Sequence, residues 1–164
     1  MNRSTPMGQQ SGPRPVRRNR GNAVLECALV ILPMMAIGFA LMDYTIGLFV
    51  QNVLRNAVRE GCRFAITQQT GPSGQDAAVK SVVQANSMGF LQNTTTVSIT
   101  YYDSTLNVVT GTGSNAQGNL CLVSIAGFSW TWFAPVMRSS SPLSFSAASS
   151  DLMEAPPNGI LPSR

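Results

Sequence analysis

Glu26 is the residue whose surroundings demand most of its chemistry. It stands within residues 22–42, NAVLECALVILPMMAIGFALM, and is the single charge there. A carboxylate in an apolar segment is costly unless a cation or a donor meets it. Asp43 follows the run at once, too far along a helix from Glu26 to share a substrate with it. The chain has three cysteines, Cys27, Cys62 and Cys121, and no histidine. The commonest general base, the commonest metal ligand and every Ser–His or Cys–His pair are therefore missing. Three scattered cysteines make no metal site, and no cofactor is expected. Gly111-Thr112-Gly113 lacks the lysine and the strand-to-helix setting of a phosphate loop. The Ser and Thr abundance suits an exported surface and is no catalytic signal.

These residues must be held by few elements, because 164 residues leave room for one small domain and its flanks. Charged residues make up 11% of the chain, well below the usual quarter. The charge is also unevenly placed. Residues 1–21 hold Arg3, Arg14, Arg17, Arg18 and Arg20 and no acid, for a charge of +5, whereas residues 22–164 sum to −1. A nearly neutral domain argues against a nucleic-acid partner. The first 20 residues carry three prolines, two glycines and almost no large apolar side chain, so a disordered leader is expected. It reads as a cytoplasmic flank that sets topology by the positive-inside rule, or as an arm for nucleic acid or lipid headgroups.

Residues 27–42 hold no charge at all. About 20 apolar residues span a bilayer as a helix. A span over about 23–50 is expected, with the lipid bilayer as partner and two acids within it or near its edge. Pro33 and Gly38 are tolerated better in such a helix than in a soluble one. As a secretory signal the apolar region is too long, and Glu26 interrupts its start. As a lipidation site Cys27 lacks the small residue that should precede it. Beyond Asp43 the pattern becomes amphipathic. Ile46, Phe49, Val50, Val53, Leu54, Ala57, Val58 and Gly61 follow the helical spacing, with Arg55, Arg59, Glu60 and Arg63 on the other face. One helix is expected over 22–67, about 65–70 Å long at 1.5 Å per residue. Glu60 and Arg63 can pair at i, i+3, and Arg55, Arg59 and Arg63 stack at i+4. That face is either solvated or a candidate docking face. Gly61 allows a close approach to the sheet or to a neighbour.

Two resemblances follow from these residues. A basic leader ends at Gly21, and Glu26 is the fifth residue counted from Asn22. This resembles the type IV prepilin pattern. The resemblance implies cleavage between Gly21 and Asn22 by a prepilin peptidase on the cytoplasmic face. Cleavage would leave a charged amine on Asn22, and Glu26 could neutralise the amine of a neighbouring subunit. Alternatively, Glu26 snorkels to the interface from an uncleaved anchor. The segment from Gly21 to Ala65, with Ala57, Arg59, Glu60, Gly61, Arg63 and Ala65 in an Ala-x-Arg-Glu-Gly-x-Arg-x-Ala block, is similar to the TadE-like family. These are pilin-like (pseudopilin) proteins of the Flp, or tight-adherence, pilus. Cys27 and Cys62 depart from that pattern, as does the Arg-rich leader.

The rest of the chain reads as a small exported α+β domain over 68–154. A turn at 70–74 leads to a helix over 75–88, then strands near 94–102, 106–110, 119–128 and 143–153. A small antiparallel sheet would cover the amphipathic half of the long helix, a pilin-like plan. The Pro-rich tail, 155–164, is expected to be disordered. Trp130 and Trp132 suit sheet-edge core, a ligand platform or a membrane-interface belt. Cys62 and Cys121 would both lie in the exported part, where a disulfide pinning helix to sheet is open to them. The whole reads as a non-enzymatic minor pilin or pseudopilin, single-pass in a bacterial inner membrane. The N-terminus is cytoplasmic and the C-terminal domain periplasmic, with incorporation in an extracellular pilus left open. Its partners would be the prepilin peptidase, other pilin-like subunits and the inner-membrane assembly platform. Its part would be structural, in pilus assembly, secretion and adhesion. The rivals are an uncleaved, signal-anchored periplasmic binding module and a small anchored enzyme with an unusual catalytic set.

Overall fold

The structure is a computed structural model that describes residues 20–92, 96–131 and 142–164. The leader over 1–19, residue Trp132 and most of the 134–142 loop lie outside the described residues. Helix α1 is Arg20–Ile66, followed by α2, Gln75–Asn86. Four strands complete the fold: β1, Val97–Tyr102; β2, Val108–Val109; β3, Leu120–Trp130; and β4, Leu143–Leu152. The α+β class and the antiparallel sheet expected from the sequence are both present. The chain divides into two compact units, residues 1–35 and 36–164.

In the first unit the described residues are helical. Their apolar side chains lie open: Val24, Leu25, Leu29, Leu32 and Met34 are each more than 60% exposed. No soluble helix could hold such a surface in water, and lipid satisfies it without packing. Pro33 sits inside α1 without ending it.

In the second unit the buried seam of α1 runs through Asp43, Gly47, Val50, Leu54, Ala57, Val58, Gly61, Cys62 and Ala65. The steps alternate between three and four residues, so one stripe faces the sheet throughout. Ile46 and Phe49, expected on that stripe, are 40% and 52% exposed. They are apolar but point elsewhere. The sheet order is β2-β1-β3-β4, antiparallel at every pair. Alternation places Val97 and Tyr101 of β1, Cys121, Val123 and Ile125 of β3, and Phe145 and Ala147 of β4 in one core with α1 and α2. The opposite face is rich in hydroxyls, and Ser98 and Ser124 hydrogen-bond across it at 2.8 Å.

Departures from the expected boundaries have local causes. β2 is only two residues long, because Asp103 accepts hydrogen bonds from the backbone N–H groups of Thr105 and Asn107 and holds a turn through Leu106. Leu106 is left-handed there, with φ 62°. β3 continues past residue 128 to Trp130 by way of a bulge between Ile125 and Phe128, where Gly127 has φ 73°. That conformation suits glycine. α2 stops at Asn86, since the Ser87 hydroxyl donates to Gln84 O at 2.6 Å and Met88 turns left-handed.

The tail differs from its expected disorder. Ser163 O accepts from Gln75 N at 2.8 Å and so serves the open first turn of α2. Arg164 pairs with Asp76 at 2.9 Å, lies over the Tyr101 ring at 4.6 Å, and donates to Ser114 Oγ. Gly74 makes room: a Cβ there would lie 2.6 Å from Arg164 C.

Candidate assembly sites

α1 begins at Arg20, so Gly21 and Asn22 lie in its first turn. The first N–H groups of a helix have no intrahelical partner, and its end frays. A peptidase could therefore take Gly21 in open form at little cost. Asn22 Nδ2 donates to Glu26 Oε1 at 3.3 Å, one turn on. The two side chains share a face. Glu26 is exposed, and no cation within the described residues lies within ion-pair distance of it. The apolar neighbours Val24, Leu25 and Leu29 are uncovered as well. A carboxylate on such a surface needs a partner from outside the chain, or a short reach to water.

Asp43 behaves differently. It is 1% exposed and lies inside the second unit. Residues 22–42 are therefore the part of α1 that the domain leaves bare, apart from half-buried Ala36 and Ala40. They number 21, enough for about 31 Å at 1.5 Å per residue, close to one hydrocarbon thickness. A span ending near Met42 fits this burial better than one reaching residue 50.

Farther along, Arg55, Arg59 and Arg63 form an exposed row. Glu60 is half-buried and no ion pair joins it to Arg63. Both instead border a shallow cleft with Phe64, Thr67 and Val82. The row is thus a cationic face open to an acidic partner. Gly61 does allow a close approach, but its neighbour is α2. A Cβ there would meet Val83 Cγ2 at 2.2 Å.

Cys62 and Cys121 face each other across the helix–sheet interface. Cys62 Sγ lies 3.9 Å from Cys121 O, and both thiols are free and buried. Burial raises both pKa values. Cys121 is pushed up to about 12, first by burial and then by Cys62 and Asp76. For Cys62 burial outweighs the lowering effect of the Ser149 hydroxyl. Such thiols stay protonated and react slowly. Among the described residues no three His, Cys, Asp or Glu side chains gather as a metal site.

One cluster was missed by sequence reasoning. Gln75 Nε2 donates to Ala65 O at 2.8 Å, and Asn115 Nδ2 donates to Gln75 Oε1 at 2.6 Å. Gln68, left-handed at φ 56°, donates to Asn115 O and Glu154 O. Together these amides close the end of α1 against the loop before β3 and the strand end after β4. The only signal available was a pair of glutamines flanking a Gly/Pro turn. Tyr101 OH donates to Asp76 Oδ1 at 2.9 Å, and burial raises the phenol's pKa.

Residues 21–63 match the family model described as TadE-like protein. No curated protein and no solved structure matches the chain. The match covers α1 from the Gly21 junction through Arg63, and it associates the chain with the Tad pilus.

Proposed function

We propose that this chain is a minor pilin or pseudopilin of a Tad, or Flp, pilus. It is made as a single-pass precursor with residues 1–21 in the cytoplasm and the second unit in the periplasm. Prepilin peptidase cuts it between Gly21 and Asn22. The new amine on Asn22 of one subunit is then neutralised by Glu26 of another. The apolar stretch packs beside other pilin-like helices, and the Arg55, Arg59 and Arg63 face meets the assembly platform or a neighbour. The protein performs no catalysis. Its contribution to assembly, secretion and adhesion is structural.

One observation carries this reading. Glu26 stands five residues after Gly21 on an uncovered apolar helix, with no cation of its own chain to meet it. An ordinary anchor gains nothing from an acid there, and insertion is easier without it. Intact mass and N-terminal sequencing of the membrane-extracted protein test the reading. A chain that starts at Asn22 only when the peptidase is present supports it. A start at Met1 or Asn2 in both backgrounds removes the processing step and leaves an anchored module. Glu26→Ala should insert normally, yet fail to support pili.

A further inference from the structure

A cavity of about 240 Å³ lies where α1 meets the ends of β3 and β4. Its walls are Asp43, Tyr44, Gly47, Trp130, Leu143 and Phe145, together with Leu48 and Gln51. Most of that surface is apolar or aromatic, so an occupant must be largely hydrocarbon. Two polar features break it. The Trp130 indole Nε1–H is buried and has no hydrogen-bond partner. A buried donor without an acceptor costs about 1–3 kcal/mol. Asp43, 1% exposed, places a carboxylate on the same wall.

The height of the cavity narrows the choice. Asp43 directly follows the bare run over 22–42. In a helix that crosses a bilayer with that run, Asp43 stands at the edge of the hydrocarbon. The groups available at that depth are acyl chains and the ester and phosphate oxygens above them. Tyr and Trp side chains favour the same depth.

We propose that the cavity holds one phospholipid of the leaflet on the domain's side. An acyl chain lies against Leu143, Phe145 and the Gly47 gap. A phosphate or ester oxygen accepts the Trp130 Nε1–H. The Asp43 charge disfavours a net anionic headgroup and favours one carrying an ammonium. The site therefore selects ethanolamine phospholipid over glycerol phospholipid. The inference rests on α1 crossing the membrane, and not on cleavage at Gly21.

The test uses the full chain, purified in detergent. An equal mixture of phosphatidylethanolamine and phosphatidylglycerol with identical acyl chains is added, and native mass spectrometry counts the retained lipid. The ethanolamine lipid should be retained about tenfold over the glycerol lipid, the worth of one hydrogen bond to a charged group. Asp43→Asn should bring the ratio toward one while lipid is still retained. Trp130→Phe, which keeps the ring and removes the donor, should lose both lipids. Gly47→Leu, which fills the cavity, should do the same, with circular dichroism confirming that each variant is folded. Equal retention by the wild type, no retention at all, or an unchanged Trp130→Phe variant overturns the proposal. Carbonate extraction of wild-type membranes separates the two failures. A chain released by carbonate undermines the span itself, whereas an integral chain without lipid preference undermines only the cavity.

Discussion

At the scale of single residues, Gly61 shows how one missing methyl sets the spacing of two helices. α1 and α2 touch so closely there that a Cβ would reach Val83 Cγ2 at 2.2 Å. Gly61→Ala should cost about 1–3 kcal/mol, the usual range for overpacking. Chemical denaturation of the exported domain's signal would read it. Adding Val83→Ala should restore most of the loss, because the methyl removed lies where the new one enters. Cys62, Tyr101 and Cys121 make a second prediction, in pH. Folding raises the pKa of each. The folded state thus holds these protons more tightly than the unfolded chain. Stability should be complete below the ordinary thiol value of 9.0 and fall as pH climbs toward the Cys121 value of about 12. Melting midpoints measured from pH 8 upward should decline. They should decline less in a Cys62→Ala, Cys121→Ala double variant.

At the scale of elements, the sequence carried the type of each segment better than its surroundings. The three-and-four spacing of α1 and the alternation in β1 and β3 state which residues share a face. They do not state what lies opposite that face. Ile46 and Phe49 are as apolar as Val50 and Leu54, yet only the latter pair is buried. A helix that leaves lipid for a sheet needs apolar residues on both sides, and hydropathy does not tell the two apart. Gln68, Gln75 and Asn115 were illegible for another reason. Their bonds join residues 40 and more apart in sequence, and nothing in a lone glutamine announces such a partner. The tail failed similarly. Prolines suggested disorder, whereas what orders the tail is the gap at Gly74 and the charge on Asp76. Gly74→Ala should therefore expel it. The Arg164–Asp76 pair is partly exposed, at 27% and 25%, so its loss alone should cost about 1 kcal/mol. Limited carboxypeptidase digestion should shorten Gly74→Ala far faster than the wild type, and Arg164→Ala to an intermediate degree.

At the scale of the whole molecule, charge and hydropathy divide the chain in the same place. Five arginines precede residue 22, none of the next 32 residues is basic, and the remainder is close to neutral. The bare run over 22–42 is one bilayer long and stops where Asp43 turns into the domain. This coincidence is what a single-pass protein requires, because the flank that stays and the domain that crosses must differ in positive charge. The match to the TadE-like model over residues 21–63 spans the same junction. The arginines should therefore direct the chain before any peptidase or partner acts. Replacing Arg14, Arg17, Arg18 and Arg20 by serine should leave membrane integration intact, since the apolar run is unchanged. It should also send a fraction of the molecules into the membrane reversed, with the domain inside. Protease added to intact spheroplasts would then spare that fraction and digest the rest. If processing at Gly21 occurs on the cytoplasmic face, the reversed fraction should also keep its leader. Inverted molecules and uncleaved molecules should thus be the same ones. An inverted chain that is nonetheless cleaved would separate topology from processing and refute their proposed order.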